Sequence, residues 1–227
     1  LFDHYDVIKK THFSSINEFK SFLDTIRNYD IESAIISSVV PELTHTYENL
    51  LVETYQYSTF IINYKLTDLS LRVAQPETVG VDRLCNIFAV KKDYNVPAII
   101  IDFGTATTID VIGKNREYHG GIIYPGVQMS MEVLENKTAK LPSVEIVQMK
   151  SALGKSTSES IQSGLFFGQI GIVKELRSRI TSEVFNNEEP VILATGGFSR
   201  LFRSSGLFHS VIPDLALHGI HISLKLN

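Results

Sequence analysis

Four short segments of this 227-residue sequence combine residue types and spacings that can do chemistry on phosphate or on a hydroxyl. In Asp102-Phe103-Gly104-Thr105-Ala106-Thr107-Thr108 a carboxylate closes an apolar run, glycine lets the backbone fold tightly beneath a ligand, and threonine adds a hydroxyl and an amide. Successive N–H groups in such a turn make a cradle for phosphate oxygens, and the carboxylate suits the accompanying cation. A plain β-turn would use the same residues. The trio Asp102-Phe103-Gly104 also spells the protein-kinase metal motif, but no glycine-rich loop, strand lysine or H-R-D sequence goes with it. In Pro76-Glu77-Thr78-Val79-Gly80-Val81-Asp82-Arg83 a carboxylate that can accept a proton stands beside a guanidinium that can hold an anion. A charge pair in the first turn of a helix is the simpler reading of the same residues.

The third segment, Gly154-Lys155-Ser156-Thr157, invites comparison with a phosphate-binding P-loop, but the earlier glycine of that pattern would fall at Met149, so the pattern fails and a helix cap is the default. In the fourth, Ala194-Thr195-Gly196-Gly197, paired glycines after an apolar run allow a flat ligand to lie against backbone, or simply a tight strand-to-helix turn. His218 and His221 are three residues apart without a convincing cysteine or carboxylate partner, which gives no metal site, and no G-x-S-x-G elbow is present.

Composition narrows the field. Hydrophobic residues make up 44% and charged residues 20%, enough to build a core, and a net charge of −4 gives no footprint for nucleic acid. One cysteine, Cys85, precludes an internal disulfide and suits a reducing cytosol. The apolar runs are too short to span a bilayer and the first ten residues are polar, so the expectation is a cytoplasmic protein with no membrane association.

Elements that can carry these motifs follow from periodicity. Residues 5–13 alternate as a strand, and Ser15-Ile16-Asn17-Glu18 reads as a capping box before a helix with Ile16, Phe19, Phe22, Leu23 and Ile26 on one face. Residues 33–40 read as a buried, parallel strand, and Pro41 opens a helix running to about Tyr55. Residues 59–63 read as a strand, 71–78 as loop and 82–93 as helix. Residues 98–102 and 107–112 form a hairpin whose tight turn carries Asp102, Gly104 and Thr105. A long helix covers 159–180, with Gly164, Gly168 and Gly171 marking close packing against another helix or a subunit, and 191–195 is a strand entering Gly196. Alternating strands and helices define an α/β protein.

In order and spacing, P-x-x-V-G-x-D-R over 76–83, D-F-G-T-A-T-T-I-D over 102–110, H-G-G-x-I-x-P-G over 119–126, G-K-S-T and Q-S-G over 154–164, and A-T-G-G over 194–197 resemble the type III pantothenate kinases along the whole chain. The resemblance implies two related actin-like (ribonuclease H-like) domains, assigned to 1–96 and 97–227, with an active-site cleft between them. It implies transfer of phosphate from ATP with Mg²⁺ to pantothenate, the first step of coenzyme A biosynthesis, in a homodimer activated by a monovalent cation, K⁺ or NH₄⁺. Carried over residue by residue, Asp82 is the catalytic carboxylate, Gly80, Val81 and Arg83 belong to the substrate segment, and Thr157 contacts pantothenate. Asp102 holds the cation, and Gly104, Thr105, Gly196 and Gly197 serve ATP. Val73 stands where the family often has a substrate-side tyrosine. The family's D-x-G-N-T phosphate loop has no counterpart here, so the expectation is on the order of 10–20 further residues before Leu1, and poor use of ATP by the chain beginning there. Other readings are a non-catalytic accessory or regulatory relative that binds nucleotide or a partner protein, and a kinase of another small alcohol.

Overall fold

Strands and helices alternate as their apolar patterns require, giving an α/β fold whose computed structural model describes residues 1–3, 6–7, 9–66 and 69–224. It divides into one unit of Leu1–Asp68, Glu77–Phe88 and Ala216–Asn227 and a second of Leu69–Pro76 and Ala89–Leu215.

The first unit begins with a short antiparallel pair, β1 (Phe2–Asp3) and β2 (Asp6–Val7). The strand expected over 5–13 lies partly outside the described residues, at Tyr5 and Ile8, and 9–13 has no regular structure. Helix α1 (Ile16–Thr25) starts where the capping box puts it: Glu18 N–H donates to the Ser15 hydroxyl at 3.3 Å. The reciprocal bond goes one residue further back, from Ser14 N–H to the Glu18 carboxylate at 2.8 Å. Leu23 and Ile26 then pack with Leu50 and Leu51. Strand β3 (Ser33–Ile36) pairs in parallel with β4 (Ser58–Ile61). It is shorter than the apolar run suggested and only half-buried, because β4 is its one partner among the described residues. Helix α2 (Pro41–Asn49) opens on proline at its first position, where the missing N–H has no intrahelical acceptor, and passes into a π-helical turn over Leu50–Thr54.

Helix α3 (Val81–Asp93) crosses from the first unit into the second. Its Cys85 thiol is buried and donates to the Ser37 hydroxyl at 3.5 Å. Burial pushes the thiol up to about 11. We therefore expect Ellman's reagent to label Cys85 far more slowly in the native protein than in guanidinium, because the thiolate is the nucleophile.

The second unit is built on strands β5 (Ala98–Phe103), β6 (Ala106–Ile112), β7 (Tyr118–Pro125), β8 (Val191–Thr195) and β9 (Ser210–Val211), in the order β7-β6-β5-β8-β9. β5 is central, antiparallel to β6 and parallel to β8. Its alternate residues Ile99, Ile101 and Phe103 enter a core with Val127 and Met131 of α4 (Val127–Lys137) and Ile161, Leu165 and Phe166 of α5 (Thr157–Glu183). Phe103 stacks on Phe202 at 4.5 Å, and Phe202 on Phe166 at 5.5 Å, so the end of β5 rests on an aromatic column. Ser156 caps α5, accepting from Glu159 N–H at 3.2 Å. Gly164, Gly168 and Gly171 do not mark close helix packing within the chain: a Cβ at any of them would meet nothing within 4 Å. Helix α6 (Leu215–Leu224) closes the described chain. Its Gly219 lies against the backbone of Cys85, where a Cβ would collide with the Cys85 carbonyl. Among the described residues no helix is long and apolar enough to cross a membrane.

Candidate active site

Three of the glycine motifs meet at the turn between β5 and β6. Asp102, half-buried near the end of β5, is paired across the sheet with Thr195 near the end of β8. Its carboxylate lies against two glycines. A Cβ on Gly104 would be 3.4 Å from Asp102 Oδ1, and one on Gly196 would collide with that oxygen. Gly196 has φ +88 and its Cβ would also stand 2.6 Å from the Phe103 carbonyl carbon, while Phe198 N–H donates to the Phe103 carbonyl at 3.1 Å. The Pro125-Gly126 step closes the turn from another side, since a Cβ on Gly126 would stand 2.6 Å from the Gly104 carbonyl oxygen and collide with that of Thr105. Thr105 itself is exposed. Behind the turn, buried Gln169 of α5 donates to the Pro125 carbonyl at 3.1 Å and takes the Thr107 hydroxyl at 3.4 Å, tying α5 to both strands. Burial pushes Tyr124 up to about 12, against a smaller lowering by the Thr107 hydroxyl.

This arrangement can do specific things. One carboxylate set among turn backbone gives oxygen donors suited to a weakly held monovalent cation. No group of three or more His, Cys, Asp or Glu side chains able to hold a metal occurs among the described residues. That donor set fits a divalent ion arriving on phosphates with few protein ligands. Gly197 is exposed, and its Cβ position is open to 4 Å, leaving room for a ligand against the backbone.

The G-x-D-R segment belongs to the first unit. Gly80 precedes α3, whose Leu84 N–H donates to the Gly80 carbonyl at 3.0 Å. Asp82 is exposed in the first turn and its carboxylate folds back over Gly80, where a Cβ would stand 2.5 Å from Oδ1. The missing Cβ thus gives the carboxylate its position; Val81 and Arg83 beside it are half-buried. Thr157 is exposed at the start of α5, on a cavity of about 530 Å³ lined by Leu134, Leu141, Ile161, Gly164 and Leu165 among others. Val73 is half-buried, and a Cβ on Gly120 would stand 3.7 Å from its Cγ1. Sequence reasoning missed what Gly126 and Gln169 do at the turn. The Pro-Gly pair is a signal that could have pointed to Gly126, whereas a glutamine on a long helix carries none.

A glycine-sealed turn with a carboxylate, at the end of the central strand of this sheet, is a kind of turn that can take phosphate oxygens and their cation. The comparisons with known proteins make this specific. A family model described as type III pantothenate kinase matches residues 1–179, more than half the chain. A type III pantothenate kinase of Legionella pneumophila (strain Paris) is 42% identical over 199 residues, 87% of this chain and 78% of the relative. Type III pantothenate kinase 1 of Francisella tularensis subsp. holarctica (strain OSU18) is 40% identical over 200 residues, with the same coverage. A solved structure described as a Baf family transcriptional activator from Campylobacter jejuni superimposes with a TM-score of 0.62 at 17% identity, covering 89% of this chain and 87% of that one, and shows the fold alone. The chain belongs to the type III pantothenate kinase family, and its class is therefore that of the phosphotransferases.

Proposed function

We propose that the protein transfers the γ-phosphoryl group of ATP to the hydroxyl of pantothenate, giving 4′-phosphopantothenate and ADP in the first step of coenzyme A biosynthesis. The observation that carries this reading is the meeting of three glycine motifs at the β5–β6 turn beside Asp102, in a chain of this family. Phosphoryl transfer depends on positioning and charge neutralisation. The Gly104-Thr105 turn and the Gly196-Gly197 pair receive ATP, whose accompanying Mg²⁺ would supply positive charge to offset that of the phosphates. Asp82 accepts the hydroxyl proton as the new O–P bond forms and the bond to the β-phosphate oxygen breaks. An ordinary carboxylate suffices, because the proton moves late. Gly80, Val81 and Arg83 hold the substrate beside Asp82. Val73 and Thr157 contact pantothenate, the pocket being completed across a homodimer. The reading includes two related actin-like domains, 1–96 and 97–227, with the site in the cleft between them, in the cytoplasm and without nucleic acid or membrane.

Asp102 holds a monovalent cation in this reading. In the complete enzyme, the rate in potassium or ammonium is expected to exceed that in sodium at equal ionic strength, and Asp102→Ala to abolish the difference. Equal rates in all three salts, with Asp102→Ala as active as wild type, remove the cation from the mechanism. The reaction itself is tested by following ADP release with and without pantothenate. Release that does not depend on pantothenate overturns the assignment.

A further inference from the structure

Beyond β6 the chain turns tightly. Gly113 N–H donates to the Glu117 carbonyl at 2.8 Å, Arg116 N–H donates to the Gly113 carbonyl at 3.0 Å, and Arg116 takes a left-handed φ of 64. The turn lays Glu117 and His119 over Gly113. A Cβ there would stand 2.6 Å from Glu117 Cδ and would collide with His119 Nε2. The Glu117 side chain is only 7% exposed. Its Oε1 is 3.1 Å from His119 Nε2 and 3.7 Å from an Arg72 guanidinium nitrogen, while its Oε2 is buried without a hydrogen-bond partner. Burial raises the carboxyl, but hydrogen bonds from its own backbone and from His119, with the charges of Arg72 and His119, outweigh it and hold the group below the usual carboxylate range.

A buried carboxylate is costly, and here one of its partners belongs to a distant segment. Arg72 lies on a stretch, residues 69–73, which from Leu71 onward the sequence reads as loop, yet which is laid along β7. Arg72 N–H donates to the Tyr118 carbonyl at 2.8 Å, Tyr118 N–H donates to the Ser70 carbonyl at 2.9 Å, and Leu71 bridges Tyr118 in parallel. One residue beyond Arg72 comes Val73, resting over Gly120, which has φ +114. The backbone thus fastens the segment at 70–72, and the side chains fasten it again at Arg72.

We propose that Glu117 is a positioning residue for the alcohol substrate, fastening Arg72 so that residues 69–73 stay on β7 and Val73 keeps its place over Gly120. This rests on the reading that Val73 contacts pantothenate. Glu117 touches neither substrate and acts through Arg72.

The test uses the complete protein with Glu117→Gln, which keeps the side-chain size and removes the charge, and Arg72→Gln, whose side chain is 58% exposed and so spares the fold. Loss of the ion pair is expected to raise KM for pantothenate about three- to fivefold in each variant, with kcat and KM for ATP changed by less than about twofold. The double variant is expected to be no worse than Glu117→Gln alone, because that substitution has already removed the partner of Arg72. Hydrogen–deuterium exchange is expected to quicken in peptides covering 69–76 and to stay unchanged in β5 and β8. Unchanged KM for pantothenate in both variants overturns the proposal, as does a parallel rise in both KM values with exchange quickened through the whole sheet, the mark of a merely structural role. Exchange also separates the two readings. If wild type fails to phosphorylate pantothenate, the substrate assignment falls, while quickened exchange at 69–76 alone still supports the fastening by Glu117 and unchanged exchange there refutes it.

Discussion

Asp82→Asn leaves the protein folded and lowers kcat about 10²–10⁴-fold, the range for loss of a positioned acid–base group. The side chain is exposed in the first turn of α3, over a glycine, and the amide has the same shape, so the fold loses little. What the amide cannot do is take the hydroxyl proton as the O–P bond forms. In the proposed mechanism KM for ATP therefore stays near wild type while kcat falls. Circular dichroism and thermal unfolding report the fold, and ADP release with saturating pantothenate reports the chemistry. A variant within a few-fold of wild-type kcat would reduce Asp82 to a favourable charge at the N-terminus of a helix.

Gly196→Ala is expected to be the most damaging single methyl group in the second unit. At φ +88 an L side chain is strained, and the new Cβ would meet Asp102 Oδ1 and the Phe103 carbonyl, the second of which cannot retreat without disturbing the central strand. Strain and overpacking together correspond to about 2–4 kcal/mol, or a fall of roughly 5–15 °C in melting temperature for a protein of this size. Gly197→Ala is the control, because its Cβ has open space. It should melt near wild type and, if ATP lies against that backbone, show a raised KM for ATP alone. Equal melting temperatures for Gly196→Ala and wild type, by differential scanning calorimetry, would show that β8 is not pressed against Asp102.

Local patterns were sufficient for the elements. The Ser15 cap, proline opening α2, the β5–β6 hairpin and the Ser156 cap all follow from short-range chemistry, and each was legible because a turn or a cap is decided by residues within a few positions of it. The motifs that named the family were legible for the same reason. Strand β7 was not, since its two glycines and terminal proline hide a strand that exists by pairing with β6. Residues 71–73 read as loop because Leu71 finds its partner at Tyr118, some 47 positions away along the chain. The half-burial of β3 against an all-apolar run is likewise a matter of how many neighbours the strand finds, which no window of sequence contains. Only the tertiary structure brings Gly104 and Gly196 to one carboxylate and closes Gly126 on the turn beside it, and only it puts Glu117 under Arg72. By itself the sequence determined which residues can bend, cap and carry charge. Which of them meet was decided by strand order and close backbone approach, which depend on the whole sheet at once.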